Sequence, residues 1–405
     1  MKRYDFKYII YALSLGFVAL LAACISRVER PVTAEKALVK LQSSEFPDFS
    51  DDMSYESLRA AINQSLAYLG RLNPSVPLRF GPDLFTAAHL IDSTKAFSGL
   101  IGRSLSPEEL REAIENSFWV YKSIGRNRDP NVLFTGYYEP ILQGSLKEST
   151  EYPYPIYRRP DDWVSVDLRL FNPKYGSDRI VGRHVDRTVI PYFSREDIDS
   201  RGQLDEKDCE LLWVSDQMDL FFLQIQGSGQ VILEDGAVLH VNYDCNNGHA
   251  YRSIGKLLID EGKISWEEMS AQRIRSYLKS HPHEIERIFN YNESYVFFRL
   301  VDDGPLGAIE VPLTPGRSVA TDLDLFPEGA LAFIQTEKPV TSVDGTIESW
   351  EGFSRFVLNQ DTGGAINGPG RVDLFWGNGQ YARVAAGHMK HGGTLYFLVQ
   401  KEVKK

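Results

Sequence analysis

The chemistry-bearing residues of this chain concentrate in the segment Asp361-Thr-Gly-Gly-Ala-Ile-Asn-Gly-Pro-Gly-Arg-Val-Asp373-Leu-Phe-Trp-Gly377. Asp361 opens a glycine-dense turn, and Asp373 sits in a short apolar run. Glycines at 363, 364, 368 and 370 allow the backbone to approach a ligand closely. Val372, Leu374 and Trp376 alternate with Asp373 and Phe375, the pattern of a half-buried strand. A lone carboxyl among such neighbours loses hydration, so its charged form is disfavoured and its pKa rises. An aspartic acid of that kind keeps its proton near neutral pH and can act as a general acid. The same spacing also fits a turn-capping Asp361 and a satisfied strand-end Asp373; spacing alone leaves both readings open.

Two further stretches carry polar groups suited to a polyhydroxylated ligand. In Val132-Leu-Phe-Thr-Gly-Tyr-Tyr-Glu-Pro140, Thr135, Tyr137 and Tyr138 offer hydroxyls and aromatic faces, although tyrosines in a core with satisfied hydroxyls look the same. Read as a strand, Gln224-Ile-Gln226-Gly227-Ser228 places both amides on one face, where they need partners. Asn246, Asn247 and His249 precede a helix and can cap it; Asn247 is assigned to the ligand groove. Trp213 and Trp266 are expected in the core.

The eight histidines are scattered, with no His-x-x-x-His and no Cys-x-x-Cys, so neither a metal nor another cofactor is expected. His281-Pro-His283 reads as a solvated helix end. A formal charge of −11 argues against non-specific nucleic-acid binding. Cys209 and Cys245 are the two thiols beyond the leader, and sequence leaves open whether they pair.

At the N-terminus Lys2, Arg3 and Lys7 precede an apolar run that ends in Leu21-Ala-Ala-Cys24, a secretory signal rather than a spanning helix. Leu-Ala-Ala-Cys resembles the bacterial lipoprotein box. The resemblance implies an acylated Cys24, and Ile25 after it implies the periplasmic side of the outer membrane in a Gram-negative bacterium.

The elements that must position these residues follow from periodicity. Helices are expected over 55–72 and from the capping box Ser106-Pro-Glu-Glu109 towards 122. Strand-like runs at 220–226, 230–233 and 238–243 are followed by helices at 251–261 and 265–278. Short strands then dominate, at 295–300, 309–313, 331–336, 354–358, 372–376 and 395–400. Such a tail suggests a small closed barrel. The division expected is a leader at 1–23, a tether at 24–50, a helical part at 51–140, an inserted β-rich domain at 141–300 and a barrel part at 301–405.

Four blocks taken together resemble the membrane-bound lytic murein transglycosylase A family: Phe134-Thr-Gly-Tyr-Tyr-Glu-Pro140, Phe222-Leu-Gln-Ile-Gln-Gly-Ser-Gly229, Asn246-Asn-Gly-His-Ala-Tyr-Arg-Ser-Ile-Gly255 and the segment 361–377. The last also resembles the three-aspartate domain. The resemblance implies a mainly β fold with α elements (α+β). A double-psi β-barrel domain would carry an inserted second β-rich domain, with a glycan groove between them. It further implies cleavage of peptidoglycan to 1,6-anhydromuramic ends, with Asp373 catalytic and Asp361 assisting. Thr135, Tyr137, Tyr138, Gln224, Gln226, Gly227, Ser228, Asn247 and Asp322 would bind glycan, Asp324 competing with Asp322 for the first aspartate position. Asn367 stands where the family often has a basic residue. The partners implied are glycan strands and, through Cys24, the membrane. A two-carboxylate glycan hydrolase and a non-catalytic wall-binding lipoprotein are the rival readings.

Overall fold

The computed structural model describes residues 32–103, 105–126, 129–175 and 179–402; the leader and Cys24 lie outside them. Six strands close into a barrel: β1 Val132–Tyr137, β2 Ser318–Ala320, β3 Leu331–Thr341, β4 Ile347–Asp361, β5 Arg371–Phe375 and β6 Lys390–Gln400. The pairing runs β1-β6-β3-β4-β2-β5 and back to β1, so no edge is left open. β2 is parallel to β4 and β5 is parallel to β1; the other pairs are antiparallel. The expected class holds: mixed α and β elements around a closed barrel.

The strands are covered on both faces, which explains their nearly continuous apolar runs. Ala332 and Ile334 of β3 join Val357, Val372, Leu374 and Phe397 in one core. Leu331 and Phe333 point the other way, onto Leu58, Ile62, Phe97, Leu110 and Ile114 of the helices Leu58–Leu69, Ala87–Ile101 and Pro107–Ser117. The capping box at Ser106 forms as expected, with Glu109 N donating to Ser106 Oγ and Ser106 N to the Glu109 carboxylate. That helix stops at Ser117, however. Phe118–Ser123 is a strand that extends the sheet beside β6. Phe118 is buried in either conformation, so its position four residues after Ile114 could not mark the boundary.

A buried ion pair ties the residues before the first helix to the barrel. Both Nη atoms of Arg317, just ahead of β2, donate to Asp51, at 2.6 and 2.9 Å, and neither side chain is exposed. Arg317 also donates to the carbonyls of Glu56 and Phe356.

Between β1 and β2 the chain builds a second, six-stranded sheet. Its order is Val296–Val301, Val238–Asn246, Ser228–Leu233, Ile141–Ser145, Glu210–Val214 and Tyr154–Tyr157. A three-stranded sheet, Trp163–Asp167, Arg179–Val185 and Thr188–Pro191, is appended to it.

Several expectations are corrected here. The stretch 220–226 is not a strand but part of the helix Gln217–Gln226. Asp216 caps its first turn, and Gly227 ends it at φ 83°, a left-handed conformation natural to glycine. The continuous run Leu220-Phe-Phe-Leu223 carried no period to separate the two. The helix expected from Ser265 begins instead at Ala271, capped by Ser270. Ser265 only closes a turn onto Glu268 N. Residues 309–313 form turns rather than a strand. Trp266 is 67% exposed, not core. Cys209 and Cys245 are buried free thiols of one cluster, each pushed up to about 12 by burial and therefore inert.

Candidate active site

Strand register brings the chemistry into one row. Thr135 of β1 pairs with Asp373 of β5, Asp373 with Ala320 of β2, and Ala320 with Asp361 of β4. Directly paired residues share a sheet face, so these four side chains emerge together. Their alternates Phe134, Val372, Leu374 and Val319 belong to the barrel core. The row therefore faces outward from the barrel. With strands about 4.8 Å apart, the two aspartate backbones stand on the order of 10 Å apart. Only the methyl of Ala320 lies between them. On the other side Lys390 of β6 continues the row beside Thr135, and its ammonium donates to the Trp266 carbonyl at 2.9 Å. Gly136 permits the close packing behind this face, because a Cβ there would lie 2.6 Å from the Trp376 indole nitrogen.

The two aspartates differ in their partners. Asp361 is held by three donors: Oδ1 accepts from Ala308 N and Thr362 N, both at 2.9 Å, and Oδ2 accepts from the Tyr137 hydroxyl at 2.7 Å. Burial pushes its carboxyl up to about 6, against the opposing pull of those three donors. Burial and the adjoining Asp361 hold the Tyr137 hydroxyl well above its usual range, so it remains a donor. Asp373 accepts a single hydrogen bond, from the Thr135 hydroxyl. Arg371 Nε stands 3.8 Å from its Oδ1, too far for a good hydrogen bond, and Arg371 Nη2 lies 3.4 Å from Thr135 Oγ1. The Asp373 side chain retains 19% of its surface, so the carboxyl sits in an open recess. Burial pushes it up to about 6; Arg371 pulls it down and the charge of Asp361 adds to the rise. Asp373 is the less restrained of the two raised carboxyls, with a single hydrogen-bond donor.

The other candidates separate into groups. Tyr137 stays in the site as the donor to Asp361. Asp322 accepts Gly368 N at 2.7 Å and Asp324 N at 3.1 Å, so it is Asp322, not Asp324, that latches the glycine turn. Tyr138 is buried, its N–H donating to Gln226 Oε1 at 2.9 Å. The helix places Gln224 and Gln226 on different faces rather than one. Gln224 is 6% exposed and accepts from the buried Arg195 at 2.5 Å. Gly227 ends the helix and Ser228 is buried at the start of the next strand. Asn247 is corrected from groove residue to structural pin. Its Nδ2 donates to the Phe193 and Glu293 carbonyls, and its Oδ1 accepts from Tyr295 N and His249 N. No hydrogen-bonding capacity is left for a glycan.

Two residues near Asp373 escaped sequence reasoning. Arg371 shares the strand face of Asp373 by simple alternation, a signal that was present. Tyr251, from the inserted part, feels the charges of both Arg371 and Asp373, while burial is the main cause raising its hydroxyl. No local pattern marked it, because only tertiary folding brings it there.

Comparison with known proteins places this barrel, with its inserted β-rich part, among the lytic transglycosylases. Residues 133–299 match the family model described as the MltA specific insert domain, and residues 317–399 match the 3D domain. The chain is 35% identical over 277 residues to membrane-bound lytic murein transglycosylase A of Escherichia coli K12, a span covering 68% of this chain and 67% of that protein. It is 31% identical over 279 residues to the protein of the same name from Vibrio cholerae, covering 68% and 67%. The solved membrane-bound lytic murein transglycosylase of Agrobacterium tumefaciens superposes with a TM-score of 0.73 at 30% identity, over 90% of this chain and 98% of that one. E. coli MltA with bound chitohexaose superposes with a TM-score of 0.69 at 26% identity, over 92% and 95%. This chain belongs to the membrane-bound lytic murein transglycosylase A family.

Proposed function

We propose that Asp373 is the single acid–base residue of a peptidoglycan lytic transglycosylase acting in cell-wall turnover. The observation that carries this reading is the asymmetry of the two carboxyls: both are raised to about 6, but Asp361 is held by three donors, whereas Asp373 accepts one hydrogen bond and keeps part of its surface open. A glycosidase with two working carboxylates needs a second one free to act as base or nucleophile. Asp361 is not free.

The protonated Asp373 gives its proton to the glycosidic oxygen between N-acetylmuramic acid and N-acetylglucosamine as the C1–O bond breaks. The muramyl C6 hydroxyl oxygen then bonds to C1, and its proton returns to Asp373. A 1,6-anhydro ring forms, no water is consumed and the enzyme is regenerated. Thr135 orients the Asp373 carboxyl, and Arg371 steadies it while it is charged. Asp361, fixed by Tyr137, lies one strand beyond Ala320, where its charge favours positive charge developing at C1. Glycan contacts are assigned to Thr135 and Tyr137 in this row; Tyr138, buried in the barrel core, is not among them.

The intramolecular hydroxyl has a large effective concentration over water. Digestion of purified murein in ¹⁸O-water should therefore release muropeptides about 18 mass units lighter than hydrolysed ends, without label at C1. Reducing ends carrying ¹⁸O as the first product would overturn the lyase reading and restore the two-carboxylate hydrolase. Absence of any product would favour a wall-binding protein.

Membrane attachment belongs to the same proposal. Among the described residues no helix is long and apolar enough to cross a membrane. The support for a lipid anchor is the Leu21-Ala-Ala-Cys24 signal. Each buried acyl methylene contributes about 0.8 kcal/mol, so several chains on Cys24 would hold the enzyme at the outer membrane. Cells expressing Cys24→Ser should show no labelled palmitate in the protein; undiminished labelling would remove this assignment.

A further inference from the structure

Away from the aspartate row, the inserted part carries a hollow of about 430 Å³ whose lining mixes both signs of charge with aromatic surface. Arg158, Arg159, Arg299, Asp161 and Asp244 face it, and Trp163 forms part of its wall. The charges are paired only loosely. Arg159 Nε is 3.4 Å from Asp244 with half its side chain exposed. Arg158 is 3.0 Å from a nearly fully exposed Asp161. Arg299 reaches Glu310, while its Nε is buried without a partner. Ion pairs of this exposed kind contribute at most about 1 kcal/mol each to a fold. Three guanidiniums around an open hollow are therefore poorly explained by stability, and they can exchange partners at little cost.

The hollow is joined to both segments that flank the catalytic row. Trp163 donates its indole N–H to the carbonyl of Asn246 at 2.8 Å, and Asn246 starts the segment that delivers Tyr251. Arg299 holds Glu310, two residues after Ala308, whose N–H donates to Asp361.

We propose that this pocket binds the peptide stem of peptidoglycan. The proposal rests on the murein-cleaving reading above. Stems carry several carboxylates and, at the diamino acid, a free ammonium. Glu310 already holds Arg299, so Arg158 and Arg159, whose ion pairs are open to solvent, take the stem's carboxylates, and Asp244 takes the ammonium. The methylenes between those groups lie on Trp163. A volume of this size holds a few residues of peptide, within the range of ordinary ligand sites.

Titration calorimetry of the mature, unacylated chain with the synthetic stem tetrapeptide tests this. The wild type should bind it, and Arg159→Ala should weaken binding about tenfold, the loss expected on truncating one partner of a charge pair. Asp244→Asn should weaken it too, and that variant should be indifferent to acetylation of the peptide's ammonium. Arg159 is half exposed and Asp244 about a fifth exposed, and unchanged melting curves identify a local effect. On peptide-bearing murein Arg159→Ala should raise KM and leave kcat alone; on peptide-stripped glycan strands it should match the wild type. No binding by the wild type, or equal binding by both variants, overturns the pocket assignment. Binding without any lytic activity would instead overturn the reading of the aspartate row and leave the pocket standing.

Discussion

Asp373→Asn is expected to lower turnover of purified murein by about 10²–10⁴-fold, the worth of a positioned proton donor, while glycan binding persists. Asn keeps the shape of the carboxyl and can still accept from the Thr135 hydroxyl, so the row should survive and only proton transfer be lost. In the wild type, the protonated fraction of Asp373 shrinks as pH rises through about 6, so kcat/KM should decline on that alkaline side. Stability changes in the same direction with pH. The folded-state value of Asp373 lies above its ordinary 3.8, so its contribution is fully present below that value and is lost as pH rises through about 6. At neutral pH the charged carboxylate therefore costs stability, and Asn should be the more stable, by about 3 kcal/mol at most. A variant that keeps a tenth or more of wild-type turnover, or that melts lower at neutral pH, contradicts the role given to Asp373.

Asp51→Ala should destabilise the protein by about 3–5 kcal/mol, since it strands a buried guanidinium. Arg317 would keep its bonds to the Glu56 and Phe356 carbonyls but lose both carboxylate oxygens. Arg317 directly precedes β2, so the loss reaches the row through the setting of Ala320 between the two aspartates. Urea unfolding should show a lower midpoint, and kcat should fall with it. Replacing both partners by apolar residues of similar volume should recover much of the stability, because no charge is then left without a counterpart. An Asp51→Ala midpoint within error of the wild type would show that the pair is hydrated after all.

The catalytic segment was legible because its signal is local. Asp373 in an apolar alternation and Asp361 in a glycine turn can be read within seventeen residues, and both emerge on the same sheet face. The inserted part was harder for a physical reason. In 220–224 the burial of five consecutive residues erased the period, and only the Asp216 cap and Gly227 terminator, each outside the apolar run, distinguished helix from strand. Asn247 looked like a polar group in need of a ligand, yet four backbone groups satisfy it, three of them from distant segments. A sequence displays a side chain's needs but not who meets them. Trp266 shows the converse: an aromatic residue assigned to the core by type alone lies exposed, its carbonyl held by the catalytic face through Lys390.

The barrel is assembled from both ends of the chain, and that has a consequence for biosynthesis. Thr135 meets Asp373 across 238 residues of sequence, and β1 is flanked on both sides by the last two strands. The inserted sheet, made entirely of residues between them, is available earlier and has the shorter loops to close. Barrel closure must wait for the C-terminus, a long-range step of the kind that makes folding slow. A nascent or truncated polypeptide therefore has no partner for Asp373. Such fragments would be harmless to the wall, and the capacity to cut it would appear only when the whole chain had been delivered.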